Sequence, residues 1–282
     1  MNFQWYPGHM TKAKRQMQED IKLIDLVIEL VDARVPLSSR NPDIDEIAKN
    51  KSRMILINKS DMADDEKTKK WAQFYEENGF FVCVINALKQ TDMKNINSVV
   101  MRACAAKIER DRRRGIKNRP VRAMVVGIPN VGKSTFINTF SRKSAARTGN
   151  KPGVTKGKQW IKLSSSLELL DTPGILWPRF DDQMTGLKLA LIGTINDEII
   201  NTEELSLELI GMLESLYPSA VEDFYGISRN TDDKPADILE KIALARGCIT
   251  KGGKPDYLRT AGIVLENFRN GKIGRFTLES PL

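Results

Sequence analysis

The chain has 282 residues, 41% of them hydrophobic, enough for one large or two ordinary domains with packed cores. No apolar run approaches the roughly 18 residues of a membrane span, and the start shows neither an apolar signal-peptide core nor an Arg/Ser-rich presequence. Three scattered cysteines, Cys83, Cys104 and Cys248, exclude a disulfide framework or a zinc site and point to a reducing, cytoplasmic setting.

The formal net charge is +8, with net −6 over residues 180–282 and +14 over residues 1–179. Within the C-terminal part, 180–240 is acidic and 241–275 is basic. Clustered positive charge implies a polyanionic partner, either nucleic acid or an anionic surface.

In chain order, residues 10–24 have helical spacing, with Met10, Ala13, Met17, Ile21 and Ile24 on one face. "LVIELVD" (26–32), "RMILIN" (53–58) and "FFVCVI" (80–85) read as buried strands separated by charged helical stretches. A helix is expected over 92–111, running into the basic segment "RDRRRGIKNRPVR" (110–122), an exposed connection. "AMVVGI" (123–128) is a fourth buried strand, and "GKQWIKL" with "SLELLD" forms a hairpin joined around Ser164–Ser166. Strands alternating with helices predict an α/β fold, a mainly parallel sheet with helices on both faces. After about Pro178 the strand signal fades, and 183–193, 203–216, 235–246 and 256–269 read as helices. The expected organisation is an α/β domain over 1–178, with an N-terminal helical extension, and a smaller all-helical domain over 179–282.

"GIPNVGKST" (127–135) follows a strand and opens a helix, the context in which G-x-x-x-x-G-K-[ST] is a phosphate loop. Gly127 and Gly132 let the backbone curl so that its N–H groups face phosphates, and the helix N-terminus adds positive potential. The expected nucleotide contacts are Asn130, Val131, Gly132, Lys133, Ser134 and Thr135. Lys133 reaches the β- and γ-phosphates, and the Ser134 hydroxyl binds Mg²⁺. In "LELLDTPG", Asp171 ends a buried strand and suits Mg²⁺ through water, while Gly174 offers its N–H to the γ-phosphate. Between the two motifs lies the polar loop "GNKPGVTKGKQ" (149–159), whose Thr155 is the candidate second hydroxyl on Mg²⁺.

The base is read from "ILINKSD" (55–61), an apolar strand ending in Asn-Lys-x-Asp. A carboxylate accepts both N1–H and N2–H₂ of guanine, whereas adenine would leave Asp61 unpaired, a strong basis for discrimination. Asn58 steadies the base and the Lys59 stem lies over its face. In "VINALKQ", Ala87 presents its backbone N–H to guanine O6, with Asn86 where serine is commoner. The motif order is unusual: base, phosphate loop, switch threonine, then D-T-P-G. A permuted chain accommodates it, because ligand loops of an open α/β sheet gather at the carboxyl ends of the strands. Segment 110–122 would join the old termini, and D-T-P-G would feed directly into the C-terminal domain.

Together, "WYPGHMTKA" (5–13), "NKSD", "GIPNVGKST", "KPGVTKG" (151–157), "DTPGIL" (171–176) and the helical tail resemble the ribosome biogenesis GTPase A (YlqF/RbgA) family of circularly permuted P-loop GTPases, in a bacterial member. The resemblance covers nearly the whole chain. It implies binding to the large (50S) ribosomal subunit during late assembly, GTP hydrolysis there, and basic surfaces on rRNA.

Many GTPases place a glutamine after D-x-x-G to orient the attacking water; here that position is Ile175. Two candidates replace it: the sole histidine, His9, behind Gly8 at a helix start, and a K⁺ held by Asn130, which matches the asparagine that related GTPases use for it. His9 packing Trp5 and Tyr6, and Asn130 merely bracing its loop, are the alternatives. In the C-terminal domain Lys251, Lys254, Arg259, Arg269, Lys272 and Arg275 are candidates to track phosphates. Two functional readings result: a monomeric assembly GTPase whose slow hydrolysis, stimulated by the large subunit, times its release, or an rRNA-binding scaffold whose nucleotide pocket does little catalysis.

Overall fold

The computed structural model describes residues 8–116, 119–145, 160–171 and 182–281, with side chains throughout except at 8–13, 142–145, 171 and 199. Among the described residues six strands form one sheet in the order β3-β2-β1-β4-β6-β5. They are β1 (Leu26–Asp32), β2 (Ser52–Asn58), β3 (Phe81–Val84), β4 (Val121–Gly127), β5 (Trp160–Lys162) and β6 (Leu167–Asp171). All pairings are parallel except β5 with β6, the expected hairpin. Every residue of β1 is buried, as a central strand covered on both faces requires.

Alternation along β2 assigns the two faces. Ile55 and Ile57 join Val31, Trp71 and Tyr75 beneath α3 (Asp65–Glu77), while Met54 and Leu56 join the larger core on the other side. Register carries Asp32 beside Asn58, Leu30 beside Gly127 and Val125 beside Asp171. The residues singled out as strand ends therefore share one edge.

The helices ahead of and between the strands are α1 (Gly8–Asp20), α2 (Asp43–Ile47), α3, α4 (Ile96–Ala103), α5 (Ala105–Arg113) and α6 (Lys133–Ala145). The expected helix 10–24 is α1 followed by a 3₁₀ turn at Ile21–Leu23. The expected 92–111 helix is broken into a 3₁₀ turn, α4 and α5. The Ser52 hydroxyl donates to Ala103 O at 2.8 Å, taking a carbonyl that a continuous helix would use. Nor is 110–122 wholly an exposed connection. Its first turn is helix α5, and Lys107 and Arg119 converge on Asp25 and Asp111, at 3.3 and 2.9 Å for the lysine.

The remaining helices are α7 (Gln183–Leu191), α8 (Thr202–Leu216), α9 (Ala220–Tyr225), α10 (Pro235–Ala245) and α11 (Tyr257–Arg269). Helix α8 is central, burying Leu205, Leu209, Ile210 and Leu213 against Ile238 and Ile242 of α10 and Val264, Leu265 and Phe268 of α11. Helix α9 is not foreshadowed in the sequence, since six residues are too few to show periodicity. The boundary expected at 178 lies outside the described residues.

Beyond α11 the described residues form no regular element, yet they return to the sheet. Phe276 N donates to Met62 O at 3.1 Å, and Leu278 N to Arg34 O at 2.7 Å. The Glu279 carboxylate accepts from Leu37 N at 2.7 Å and from the Ser38 hydroxyl, and Lys188 of α7 lies 3.2 Å from it.

Candidate nucleotide site

Strand β4 ends at Gly127 and α6 begins at Lys133, so the intervening loop lies where a helix presents unpaired N–H groups. Two positions require glycine. Gly132 has φ +97°, and a Cβ there would lie 2.4 Å from Asn58 Nδ2; at Gly127 it would meet Val131 Cγ1 at 2.9 Å and Leu30 O at 3.0 Å. Asn130 also has a left-handed backbone, φ 61°, which asparagine tolerates better than most residues. A cavity of about 470 Å³ is lined by Ile128–Asn130 and Gly132–Thr135.

The base motif touches this loop directly. Asn58 Nδ2 donates to Val131 O at 2.7 Å, and Asn58 Oδ1 accepts from Ala87 N at 2.9 Å. One side chain thus joins the ends of β2 and β3 to the phosphate loop. Ala87 N–H, expected at guanine O6, is engaged with Asn58 here. Buried Asn86 shapes the same turn: its N–H donates to Asp92 at 2.8 Å, and its Oδ1 accepts from Leu88 N at 2.9 Å. Lys59 has φ 60°, and its ammonium donates to Asn130 O at 2.8 Å. Asp61 follows in a 3₁₀ turn with its side chain exposed, available to a ligand at this edge.

Sequence reasoning missed Asp32 and Arg34. Asp32, fully buried at the end of β1, meets Lys59 Nζ at 2.9 Å and Arg34 through both carboxylate oxygens at 2.9 and 2.8 Å. Burial alone would raise the Asp32 carboxyl's pKa. The charges of Arg34 and Lys59 outweigh it and hold the group well below the usual carboxylate range. The available signal was "VDAR", an acid and a base two residues apart at the end of an apolar strand.

Ser134 is exposed in the first turn of α6, and Lys133 and Thr135 are half-buried beside it. Asp171 closes β6 next to β4, although its side chain lies outside the described residues. The Ser134 hydroxyl, on the lining of the cavity, is a hard oxygen donor of the kind that suits a divalent cation. Thr155 and Gly174 lie outside the described residues. His9 stands in the first turn of α1, its side chain likewise outside them.

A family model described as "50S ribosome-binding GTPase" matches residues 122–224. That stretch begins at β4, so the base motif precedes it in the chain. Ribosome biogenesis GTPase A of Bacillus cereus is 48% identical over 284 residues, spanning 100% of this chain and 95% of that protein. The crystal structure of GNP-bound YlqF from Thermotoga maritima superposes with TM-score 0.67 at 29% identity, covering 96% of this chain and 98% of that one. The GDP-bound structure gives TM-score 0.68 at 28% identity, with 95% and 99% coverage. With that level of identity along its full length, and with a permuted base motif braced against its phosphate loop, the chain belongs to the ribosome biogenesis GTPase A family.

Proposed function

We propose that this chain binds and hydrolyses GTP during late assembly of the large ribosomal subunit, contacts rRNA through basic surfaces, and leaves when the nucleotide is spent. The carrying observation is the junction of Asn58 and Lys59 with the carbonyls of Val131 and Asn130. It joins a guanine-reading segment to a phosphate loop about 70 residues later in the chain. The Asp61 carboxylate accepts N1–H and N2–H₂ of guanine. Lys133 and the N–H groups at the start of α6 hold the β- and γ-phosphates, and Gly174 N–H meets the γ-phosphate. Ser134, Thr155 and Asp171 would hold Mg²⁺, which when bound neutralises charge on the transferring phosphoryl group. Since the Ile175 side chain has no hydrogen-bonding group, His9 orients the water, and the Asn130 side-chain oxygen would hold a K⁺ that adds positive charge beside the phosphates.

The proposed working units are the GTPase domain, 1–178, and the helical domain, 179–282, in a cytoplasmic monomer. Among the described residues no helix is long and apolar enough to cross a membrane. Arg110, Arg112 and Arg113 on α5, with Arg114 after it, are exposed, as are Lys251, Lys254, Arg259 and Lys272 in the helical region. These are the proposed phosphate contacts. Arg269, half-buried, is engaged with Asp197, and Arg275, though exposed, is engaged with Asp65. The scaffold reading draws on Ile175.

Equilibrium binding of GTP, GDP and ATP tests the proposal, with Asp61→Asn as the diagnostic variant. Guanine nucleotides should bind far more tightly than ATP, and Asp61→Asn should shift preference to xanthine nucleotides, whose O2 accepts the new amide. Equal ATP binding, or unchanged GTP affinity in Asp61→Asn, would contradict it.

A further inference from the structure

Two hydrogen bonds tie the phosphate loop to the helical region. Asn130 Nδ2 donates to Gly193 O at 2.7 Å, and Thr194 Oγ1 donates to Pro129 O at 3.3 Å. Gly193 and Thr194 form the turn that ends α7, and Arg269 on α11 fixes that turn. Its Nε donates to Leu191 O at 3.1 Å and its Nη2 to Ala190 O at 2.8 Å, satisfying carbonyls of the final helical turn. The same guanidinium forks onto Asp197 at 2.6 and 2.8 Å. Gly193 has φ +77°, and a Cβ there would stand 3.3 Å from Arg269 Nε, so turn and guanidinium are in close contact.

A second path leaves Arg269 from its backbone. Its carbonyl accepts from Arg34 Nη1 at 3.1 Å; Arg34 grips Asp32; Asp32 meets Lys59 at 2.9 Å; and Lys59 donates to Asn130 O at 2.8 Å. The circuit closes on Asn130, whose main-chain oxygen and side-chain amide are both held by groups leading to Arg269. Because Asn130 has a left-handed backbone, the loop shape depends on those anchors.

We propose that Arg269 is a positioning residue for the phosphate loop: by clamping the end of α7 it presents Gly193 O to Asn130, and so couples the seating of the helical region to retention of the nucleotide. The inference rests on the reading of 127–135 as a nucleotide site. By linkage, bound nucleotide must in turn stabilise the helical seating.

The test loads the full chain with a fluorescent N-methylanthraniloyl GDP and chases with excess GDP. Arg269→Ala should release it about tenfold faster, within the usual range of coupling between sites. Arg269→Lys should fall between, because one ammonium cannot span two carbonyls and a carboxylate as the fork does. Val264→Ala, buried on the same helix but outside the circuit, should lower the melting temperature yet leave release within about twofold of wild type. In an Asn130→Gly background, Arg269→Ala should add less than about twofold.

Wild-type release in folded Arg269→Ala would overturn the proposal, as would Val264→Ala releasing as fast, or the full Arg269→Ala effect persisting beside Asn130→Gly. If Arg269→Ala does not fold, Arg269→Lys alone and with Asn130→Gly carries the same comparison. A wild-type chain that retains no GDP would instead overturn the underlying site reading.

Discussion

The carboxyl edge of the sheet and the helical region beside it use their polar groups differently. At the edge, Asn58, Lys59, Gly132 and Lys133 belong to short contiguous motifs: Gly132 and Lys133 line the cradle, and Asn58 and Lys59 brace the loop that forms it. In the helical region, the charged groups that matter are joined across long stretches of sequence: Arg34 to Arg269 over 235 positions, and Leu37 to Glu279 over 242. Local patterning builds the site, and long-range pairing decides where the helices sit against it. The basic residues of 241–275 divide along the same line. Lys251, Lys254, Arg259 and Lys272 lie exposed, whereas Arg269, through its carbonyl to Arg34, and Arg275, itself exposed, through Asp65, join the two regions.

The contrast breaks most sharply at Lys133. Lys133→Ala should lower GTP hydrolysis about 100- to 1000-fold, as loss of one preorganised charge stabiliser does. The melting temperature should hardly move. Unchanged hydrolysis in single-turnover assays would show that the cradle does not work as assigned.

Asp32 stands where the two regions meet. Asp32→Asn should cost roughly 3–5 kcal/mol in urea unfolding, because it leaves Arg34 buried without its counter-charge. The sign of the pH effect follows from a folded-state pKa below the unfolded value of about 3.9. The stabilisation is complete above that value and is lost as pH falls through the folded one. Wild-type stability should therefore drop below about pH 4 more steeply than that of Asp32→Asn. Parallel pH profiles would contradict the pairing.

Glu279→Ala removes the acceptor for Leu37 and Ser38 and strands Lys188. A loss of about 1.5–3 kcal/mol is expected, typical of hydrogen bonds to a charged group. Hydrogen exchange should quicken in α3 and the final residues first, and uniform quickening would argue against a tail-specific role.

The smallest expected change in stability belongs to the exposed cations. Replacing Lys251, Lys254, Arg259 and Lys272 with alanine should alter stability by under about 0.5 kcal/mol each. The slope of log affinity against log salt for isolated large subunits should become shallower by about four. An unchanged slope would move the rRNA contact elsewhere, with the α5 arginines tested next.

The sheet was legible because buried parallel strands are apolar runs and the loops that follow them carry glycine, asparagine and lysine at fixed spacing. The break at Cys104 was not, because it depends on the hydroxyl of Ser52, 51 positions before the carbonyl it bonds. Asp32 and Arg34 read as the charged end of a strand, and only folding brings Lys59 and Arg269 to them. Helix α9 was too short for its period to register, and the tail after α11 has no period at all. The phosphate loop could be named from nine letters, but its attachment to Gly193 could not, since a backbone carbonyl leaves no mark in sequence.

The most direct test is GTP hydrolysis by the full chain in K⁺ buffer, with and without purified large ribosomal subunits, using small subunits and ATP as controls. Turnover should be slow alone, strongly stimulated by large subunits only, and absent with ATP. GTP binding without stimulation would contradict the assembly-GTPase reading and leave a nucleotide-gated scaffold in its place.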